Sequence, residues 1–401
     1  MKIIKDPVHG YIEVAPYALD LLDSAVLQRL RFIRQLGFSY LVYPGANHTR
    51  FEHSLGTLYL ANVMARQLSL SEEEQKLVAT AALIHDIGHG PFSHAIEPVM
   101  KELCGRSHHD ASWLLGEREL SDCMERHGIS PKETSSILSG NHPLSGIIHG
   151  ELDVDRMDYL LRDAHYTGAP YGTVDAHRLI RNTCRADGYI ALEEGGINAA
   201  ESLLIARTLM RPAVYFHHVS RIAEMMLSAA VHAHLEKSQV ADPFAFMRLD
   251  DSGCMQRLLH SPSETARVLA EKIYQRKLYK RALYVGREQV SPTMVVQEMH
   301  PAHRGIVAAM IADAAGVEPH EVLVDIPEFP RSMSVHVMIR NRNRLIGLEE
   351  ISPLVTTLNE TRRGQWRLGV YTPPEHVTAV SAAAREILHI RPLTTQERLK
   401  L

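Results

Sequence analysis

The spacing of apolar residues over residues 1–235 is the feature that most constrains the fold. Leu19, Leu22, Val26, Leu30 and Ile33 return every three or four positions, as on a helix with one buried face. No strand pattern of comparable strength interrupts this part of the chain, so we predict that it is all-helical. Further helices are predicted at 53–68, 71–86, 93–102, 153–164, 199–210 and 213–235.

The end of the chain has a different pattern. Strands and helices are predicted there in the order βαββαβ, followed by a last helix, and this order is typical of a ferredoxin-like module. The strands are predicted at 282–285, 322–326, 335–339 and 366–371, and the helices at 304–315, 353–361 and 376–388. We therefore predict a mainly α protein with three parts: an all-helical core over 1–235, a helical bridge over 236–280 and a smaller α/β module over 281–401.

Composition excludes several classes of protein. The net charge of −4 supplies no general basic field, so nucleic acid is not an expected partner. No apolar run approaches the length that crosses a bilayer, and residues 1–10 lack the apolar segment of a secretory signal. The four cysteines show no C-x-x-C pairing, which indicates free thiols and a cytoplasmic location. P-loop and Rossmann glycine motifs are absent from the sequence.

A histidine and a carboxylate, His85 and Asp86, lie at the C-terminal end of the predicted helix at 71–86. Leu77, Ala81 and Ile84 place the buried face of that helix on the side of His85. Because burying either polar group without a partner is costly, a metal ion is a reason for both to point inward. Imidazole nitrogen with carboxylate oxygen suits Fe, Mn, Zn or Co better than Mg.

Two more residues extend the pair to an ordered H…HD…D set. His53 precedes it near the start of a helix, and Asp155 follows it in a stripe of polar residues at helical spacing. Taken alone, His53 reads as a structural helix-capping histidine and the stripe as solvated surface. Their occurrence together favours a metal site. The stripe consists of Asp155, Asp158, Tyr159, Arg162 and Asp163.

A second group of residues offers proton carriers close to the pair. Each of these residues alone is more often structural, but their clustering beside a metal pair favours catalysis. Phosphoester cleavage needs a proton for the leaving oxygen, and histidine supplies one near neutral pH. The group consists of His89, His94, Glu97, His109 and Asp110.

Arginines near these motifs offer phosphate contacts. Arg50, Arg156 and Arg207, the last with the pair His217–His218, have the planar fork that suits bidentate phosphate binding. The alternative for each is a surface ion pair of little energetic weight.

Three long motifs carry a resemblance to a known family. Residues 43–56 read YPGANHTRFEHSLG, residues 85–94 read HDIGHGPFSH and residues 152–163 read LDVDRMDYLLRD. From about Lys2 to Leu227 the chain resembles the HD-domain deoxynucleoside triphosphate (dNTP) triphosphohydrolases, including the sterile-alpha-motif/HD-domain catalytic core and its prokaryotic dGTPase-like relatives. The resemblance implies hydrolysis of a dNTP to deoxynucleoside and triphosphate.

The resemblance also implies roles for individual residues. Among the catalytic group above it makes His94 the proton donor. The divalent metal is expected to be Fe or Mn, with Zn, Ni and Mg as alternatives. Its implied ligands are His53, His85, Asp86 and Asp155. The implied substrate-binding residues are Gln35 and Leu36 against the sugar, with Arg50, Arg156, Tyr159, Asp163, Arg207 and Tyr215.

Regulation is implied as well. Asp23, Gln28 and Arg31 match a site that reads a guanine base, so a GTP-like or dGTP-like activator and a homo-oligomer, dimer or tetramer, are expected. Two departures leave the substrate open, because Arg156 and His218 stand where the relative has lysine. The alternatives are an HD phosphohydrolase acting on nucleoside mono- or diphosphates or on a signalling nucleotide, and a non-enzymatic nucleotide sensor.

Overall fold

The computed structural model describes residues 1–105, 118–186, 188–238, 244–290, 301–327, 329, 337–342 and 344–392. Helices dominate these residues, which confirms the prediction of a mainly α protein with a smaller C-terminal region that contains strands. The helices are α1 (Pro16–Leu22), α2 (Ala25–Arg29), α3 (Arg50–Gln67), α4 (Glu72–Ile84), α5 (Glu97–Cys104), α6 (Arg118–Arg126), α7 (Pro131–Leu138), α8 (Val154–Thr167), α9 (Ala176–Arg181), α10 (Ile197–Met210), α11 (His218–Ser238), α12 (Phe244–Met247), α13 (Asp251–Leu259), α14 (Glu264–Tyr274), α15 (Pro301–Ala315), α16 (Leu348–Ile351), α17 (Pro353–Gly364) and α18 (Val377–Ile387).

Strands also occur in the first part of the chain, so the prediction that residues 1–235 are all-helical was wrong. β1 pairs with β2 and β3 with β4, each antiparallel. Both are local hairpins of short strands, and the apolar spacing that predicts helices does not reveal strands of this length. The strands are β1 (Lys2–Asp6), β2 (Gly10–Val14), β3 (Thr183–Ala186), β4 (Tyr189–Glu193), β5 (Lys280–Gly286), β6 (Leu323–Asp325), β7 (Met338–Asn341), β8 (Arg344–Gly347) and β9 (Arg367–Thr372).

The strand order of the C-terminal module differs from the ferredoxin-like arrangement that the sequence predicts. Among the described residues one sheet has three strands, β5-β9-β6, all antiparallel. The strand predicted at 335–339 begins outside the described residues, and the described strand β7 pairs in parallel with β4 through Ile339 and Leu192. Since Ile339 is fully buried there, burial of this strand against the N-terminal part accounts for the different pairing.

Capping side chains explain several helix boundaries. Ser71 accepts the backbone N–H of Glu74 and Glu74 accepts that of Ser71, which starts α4 at Glu72. Thr49 caps α3 in the same way with Glu52, so this helix begins three residues before the predicted start at His53.

Two predicted helices are shorter than expected. The helix predicted from Leu19 to Gln35 is interrupted at Ser24, whose extended backbone and hydrogen bond to the Leu21 carbonyl (2.6 Å) separate α1 from α2. The helix predicted from Ala213 starts at His218, after a π-helical turn over Arg211–Tyr215.

The largest apolar core joins the two ends of the chain. Leu55, Leu83 and Leu160 from α3, α4 and α8 share it with Ile339 and Leu358 from the C-terminal part. The divisions at residues 235 and 280 stay predictions. Within the described part of the chain, no helix is both long and apolar enough to cross a membrane.

Candidate functional site

Three helices bring the four predicted metal ligands together. α3 packs against both α4 and α8. His53 lies in the first turns of α3, His85 and Asp86 directly follow α4, and Asp155 lies in the first turn of α8. Residues far apart in the sequence therefore meet where these helices begin or end.

The ligand atoms of three residues form one compact group. One donor atom from each of His53, His85 and Asp86 lies within 4.8 Å of the others, an arrangement that could hold a metal ion. The Nε2 atoms of the two histidines are 3.1 Å apart. Asp155 lies against them, with Oδ1 2.9 Å from His53 Nε2 and 3.6 Å from His85 Nε2.

The hydrogen bonds at the far side of each ring fix which nitrogen faces the centre. His53 Nδ1 lies 2.7 Å from Oδ2 of Asp158, and His85 Nδ1 lies 2.8 Å from the Ala82 carbonyl oxygen. Carboxylate and carbonyl oxygens accept hydrogen bonds, so each Nδ1 carries a proton. Each Nε2 is therefore the atom offered to the centre, where a metal ion can take the place of a proton shared with Asp155.

The charges around His53 also favour a cation. Burial opposes a positive charge on this ring, but hydrogen bonds to Asp155 and Asp158 outweigh it and raise the pKa of His53 to about 10. Burial likewise opposes the charge on Asp86, yet Arg50, His85 and His89 hold the pKa of this carboxyl well below its usual range. The residues present therefore fit a divalent metal ion, with nitrogen and oxygen donors.

A buried ion-pair network supports His53 from behind. Arg162 donates to both oxygens of Asp158 at 3.0 and 2.9 Å. It also donates to Asp6 at 2.8 Å, and His9 Nε2 lies 2.6 Å from Asp158 Oδ1. The polar stripe on α8 predicted Asp158 and Arg162 as neighbours, whereas no sequence signal linked Asp6 and His9 to them.

Gly56 on α3 permits this close approach of α8. A Cβ atom at this position would lie 1.8 Å from Asp158 Oδ1 and 2.4 Å from Arg162 Nη2. The sequence analysis did not single out this glycine, although it closes the first motif of the resemblance.

Two predicted proton carriers lie next to the metal ligands. His89 Nε2 is 3.4 Å from Asp86 Oδ1, and the rings of His89 and His94 meet edge to face at 5.4 Å between centroids. His94 Nδ1 is 3.3 Å from Glu97 Oε2, and the His94 side chain is 63% exposed. The predicted residues His109 and Asp110 lie outside the described residues.

Arg50 is buried beside the same ligands. Its Nη1 donates to Asp86 Oδ2 at 2.5 Å and its Nε to Ser93 Oγ at 2.7 Å. In this structure Arg50 therefore orients a metal ligand, a role that the sequence analysis did not assign to it.

The other two predicted arginines also have partners. Arg207 donates to Glu151 at 2.7 Å, and Arg156 donates to Asp153 and to the Gly150 carbonyl. Both guanidinium groups act on the hydroxyl of Tyr159. Burial raises the pKa of Tyr159 to about 12, and the positive charges of Arg207 and Arg156 oppose this rise.

A chain of buried and partly buried polar groups extends from Tyr159 toward the predicted sugar side. The rings of Tyr159 and Tyr215 lie 6.0 Å apart, and the Tyr215 hydroxyl donates to Asp163 at 2.9 Å. His48 Nε2 lies 2.8 Å from the other oxygen of Asp163. The sequence analysis missed His48, although the residue lies in the first motif.

Two buried polar atoms near this chain lack a hydrogen bond among the residues described. They are Gln35 Oε1 and His48 Nδ1. The backbone joins the two residues, because Gln35 N donates to the His48 carbonyl at 3.0 Å. Leu36 is partly buried against the core beside them. Unsatisfied buried atoms of this kind are typical of a site that receives a polar ligand.

The predicted effector residues share one part of the surface. Gln28 donates to the Leu22 carbonyl at 2.7 Å and accepts from Arg31 Nε at 2.8 Å. The guanidinium of Arg31 lies over the Phe51 ring at 3.6 Å, and Asp23 is exposed between α1 and α2.

Comparison with known proteins gives the family. Residues 50–163, which contain all four predicted metal ligands, match the HD domain, and residues 174–399 match the HD associated region. An uncharacterised protein of Methanocaldococcus jannaschii is 34% identical over 94% of this chain and 80% of its own length. The deoxynucleoside triphosphate triphosphohydrolase SAMHD1 homolog of Dictyostelium discoideum is 35% identical, and the match covers 70% of this chain and 59% of that protein.

Solved structures agree over nearly the whole chain. A hypothetical protein from Aquifex aeolicus has a TM-score of 0.76 at 29% identity, covering 95% of this chain and 99% of that one. A phosphohydrolase from Bacteroides thetaiotaomicron has a TM-score of 0.75 at 27% identity, covering 93% of this chain and 100% of that one. With its HD domain followed by the HD associated region, this chain belongs to the HD-domain family and has the HD phosphohydrolase fold.

Proposed function

We propose that the chain is a metal-dependent phosphohydrolase that converts a dNTP to deoxynucleoside and triphosphate. The observation that carries the proposal is the convergence of two histidines and two carboxylates on one centre, with phenol, amide and arginine side chains extending away from it. The Dictyostelium relative, and relatives from Bos taurus and Homo sapiens at 31% and 27% identity, bear the name of this activity.

In this proposal His53, His85, Asp86 and Asp155 hold the ion. Their mixture of nitrogen and oxygen donors favours Fe or Mn, with Zn, Ni and Mg as alternatives. A divalent ion supplies Lewis-acid polarisation of a phosphate oxygen and lowers the pKa of bound water. The protein supplies the orientation, because Asp158 and the Ala82 carbonyl fix the two imidazole rings and Arg50 fixes Asp86.

His94 is the proposed proton donor to the leaving oxygen. Its Nδ1 lies 3.3 Å from Glu97 Oε2, which orients the ring, and Nε2 is the nitrogen proposed to give up the proton. The exposure of His94 and its edge contact with His89 put it within reach of a substrate that enters from solvent. His109 and Asp110 remain proposed members of this group.

Arg156, Arg207 and Tyr159 are proposed to bind the phosphate chain. Arg156 already pairs with Asp153, and Arg207 with Glu151. To bind phosphate, each arginine must either contact the phosphate and its carboxylate together or release the carboxylate.

The proposed sugar site consists of Gln35 and Leu36, with Asp163 and Tyr215 linked to Gln35 through His48. A sugar hydroxyl would supply the hydrogen bond that the buried Gln35 Oε1 lacks within the described residues. Leu36 is partly buried against the core, and its apolar side chain would offer no hydrogen bond to an additional 2′-hydroxyl, which supports a preference for deoxynucleotides.

Regulation is proposed on the resemblance alone. A GTP-like or dGTP-like nucleotide would bind beside Asp23, Gln28 and Arg31 and activate a homo-oligomeric enzyme in the cytoplasm. Two of these three side chains, Gln28 and Arg31, are joined by a direct hydrogen bond.

The test is a substrate panel with product identification. Purified protein is incubated with Mn²⁺ and each dNTP or NTP, with and without GTP, and the products are separated by ion-exchange chromatography. The proposal predicts triphosphate and deoxynucleoside, slower turnover of ribonucleotides, and no product from a variant carrying both His85→Ala and Asp86→Ala. Orthophosphate or a linearised dinucleotide would indicate a different HD phosphohydrolase. Nucleotide binding that survives both substitutions, without turnover by the wild type, would indicate a sensor.

A further inference from the structure

The side chain of Arg29 binds four backbone carbonyls from two distant segments. Its Nη2 donates to the carbonyl oxygens of Ile87 at 2.8 Å and His89 at 2.9 Å. Its Nη1 donates to those of Leu249 at 3.1 Å and Met247 at 3.4 Å. Arg29 is the last residue of α2, so one guanidinium group joins α2, the segment after α4 and the connection between α12 and α13.

Residues 87–93, here called the histidine loop, need such an anchor. α4 has ended before this loop, so the carbonyls of Ile87 and His89 lie beyond its regular hydrogen bonds. The loop begins directly after the ligand Asp86 and carries His89, whose imidazole lies 3.4 Å from that carboxylate. The position of the His89 ring therefore depends on the two carbonyls that Arg29 holds.

The other end of the histidine loop is held by Asp251. One of its oxygens accepts the Phe92 N–H at 2.7 Å and the other accepts the Arg34 N–H at 3.1 Å. Phe92 and Ser93 both have left-handed backbones, with φ of 49° and 43°, which non-glycine residues adopt at a cost. A loop with this conformation keeps it only while surrounding contacts enforce it.

We propose that Arg29 is a positioning residue for the catalytic group, acting through the histidine loop to set His89 against Asp86. This inference rests on the proposed function, because it assumes that His89 takes part in the reaction. The competing role is purely structural: Arg29 would only fasten residues 247–249 to α2. The planar fork of arginine spans both pairs of carbonyls, whereas the ammonium group of lysine is a compact point charge.

The first arm of the test measures kinetics. Arg29→Lys and Arg29→Met are compared with the wild type and with Arg66→Met, the same change at an exposed arginine of α3. Rates are expressed per mole of folded, metal-loaded protein. We expect kcat to fall roughly 10- to 100-fold in Arg29→Met, as for other groups that orient a site, and less in Arg29→Lys. KM should stay within about twofold, because substrate-binding groups are unchanged.

The second arm asks whether the effect passes through His89. Arg29→Lys is combined with His89→Gln, and the loss of kcat in the double variant is compared with the two single losses. If Arg29 acts by placing His89, the double variant should be little slower than His89→Gln alone. A purely structural role predicts that the two losses multiply.

The third arm does not need turnover. Hydrogen exchange of the loop amides is measured in the protein without substrate, since Ile87 N–H, His89 N–H and Ser93 N–H all make local hydrogen bonds. Faster exchange in Arg29→Lys, with no change in Arg66→Met, is expected.

The outcomes separate the two proposals. Unchanged exchange in the histidine loop, unchanged kcat, or multiplicative losses would each overturn the positioning role. If Arg29→Met does not fold, Arg29→Lys decides. If the wild type hydrolyses no nucleotide, the proposed function fails, and the exchange arm still decides whether Arg29 holds the loop.

Discussion

The Nε2 atoms of His53 and His85 lie 3.1 Å apart, and each faces the centre because its Nδ1 is committed to an oxygen acceptor. Without a bound cation, two lone pairs at this distance would repel each other, and a proton shared with Asp155 relieves that repulsion. A shared cation turns the repulsion into two coordinate bonds, so the tautomers set by Asp158 and the Ala82 carbonyl prepare the centre for a metal ion.

Removing the metal should therefore lower both activity and stability. We expect dialysis against a chelator to abolish hydrolysis and to lower the melting temperature, and Mn²⁺ to restore both. With free metal at 100 times its dissociation constant, binding contributes about 2.7 kcal/mol to the free energy of unfolding. Thermal unfolding with and without Mn²⁺ measures this. The His85→Ala, Asp86→Ala variant is the control, and its melting temperature should not respond to Mn²⁺.

Asp158→Asn should weaken metal binding without removing a ligand. The amide keeps the size of the carboxylate but gives up the charge that fixes Nδ1 of His53 as the donor. Groups of this kind typically change metal affinity by roughly 10- to 100-fold. Calorimetric titration of the stripped protein with Mn²⁺ measures the affinity, and Asp122→Asn on the exposed side of α6 is the matched control. Equal affinities for the two variants would refute the orienting role of Asp158.

Arg162→Met should destabilise the fold. Arg162 is fully buried, and its loss leaves the buried carboxylates of Asp6 and Asp158 without their main counter-charge. Breaking a buried pair from one side costs about 3–5 kcal/mol in the free energy of unfolding. Urea denaturation at neutral pH measures the loss, and Arg66→Met should be close to the wild type.

The same variant predicts a pH dependence. Burial opposes the charge on Asp158, but Arg162 and the hydrogen bonds from His53 and His9 hold the pKa of this carboxyl well below its usual range. A depressed pKa contributes stability that is complete above the unfolded-state value of about 3.9 and is lost as the pH falls below it. The stability difference between wild type and Arg162→Met should therefore be largest at neutral pH and shrink as the pH falls below about 4. A difference that grows toward acid would contradict this assignment.

Gly56→Ala should disturb the site from the opposite helix. The added methyl group would overlap Asp158 Oδ1 and Arg162 Nη2, so α3 and α8 must separate or the ion pair must move. Overpacking of this kind costs about 1–3 kcal/mol or more. Urea denaturation and Mn²⁺ titration should both show a loss. Gly364→Ala, where the methyl group meets nothing within 4 Å, should leave both unchanged.

Local signals in the sequence predicted much of the helical part. The sequence predicts a helix over 71–86, and α4 covers Glu72–Ile84 with Ser71 and Glu74 as its capping box. The His85–Asp86 pair directly follows the last residue of this helix. The polar stripe on α8 also has a local cause, since Asp158, Arg162 and Asp163 recur at helical spacing. All three are buried, which excludes the solvated-surface interpretation for them.

Contacts between distant segments were not predictable in this way. His9 meets Asp158 across 149 positions, because the β1–β2 hairpin folds back over α8. β7 pairs with β4 instead of joining the C-terminal sheet. In both cases the contact depends on a few side chains that become buried when the chain folds. Neither segment therefore has a periodic pattern that reveals its partner.

We propose that His53, His85, Asp86 and Asp155 share one ion. Anomalous diffraction at the Mn absorption edge, from crystals grown with Mn²⁺, tests it most directly. The predicted result is a single strong peak about 2.0–2.2 Å from Nε2 of both histidines and from a carboxylate oxygen of each aspartate. A peak elsewhere, or ordered side chains with no peak between them, would contradict the account.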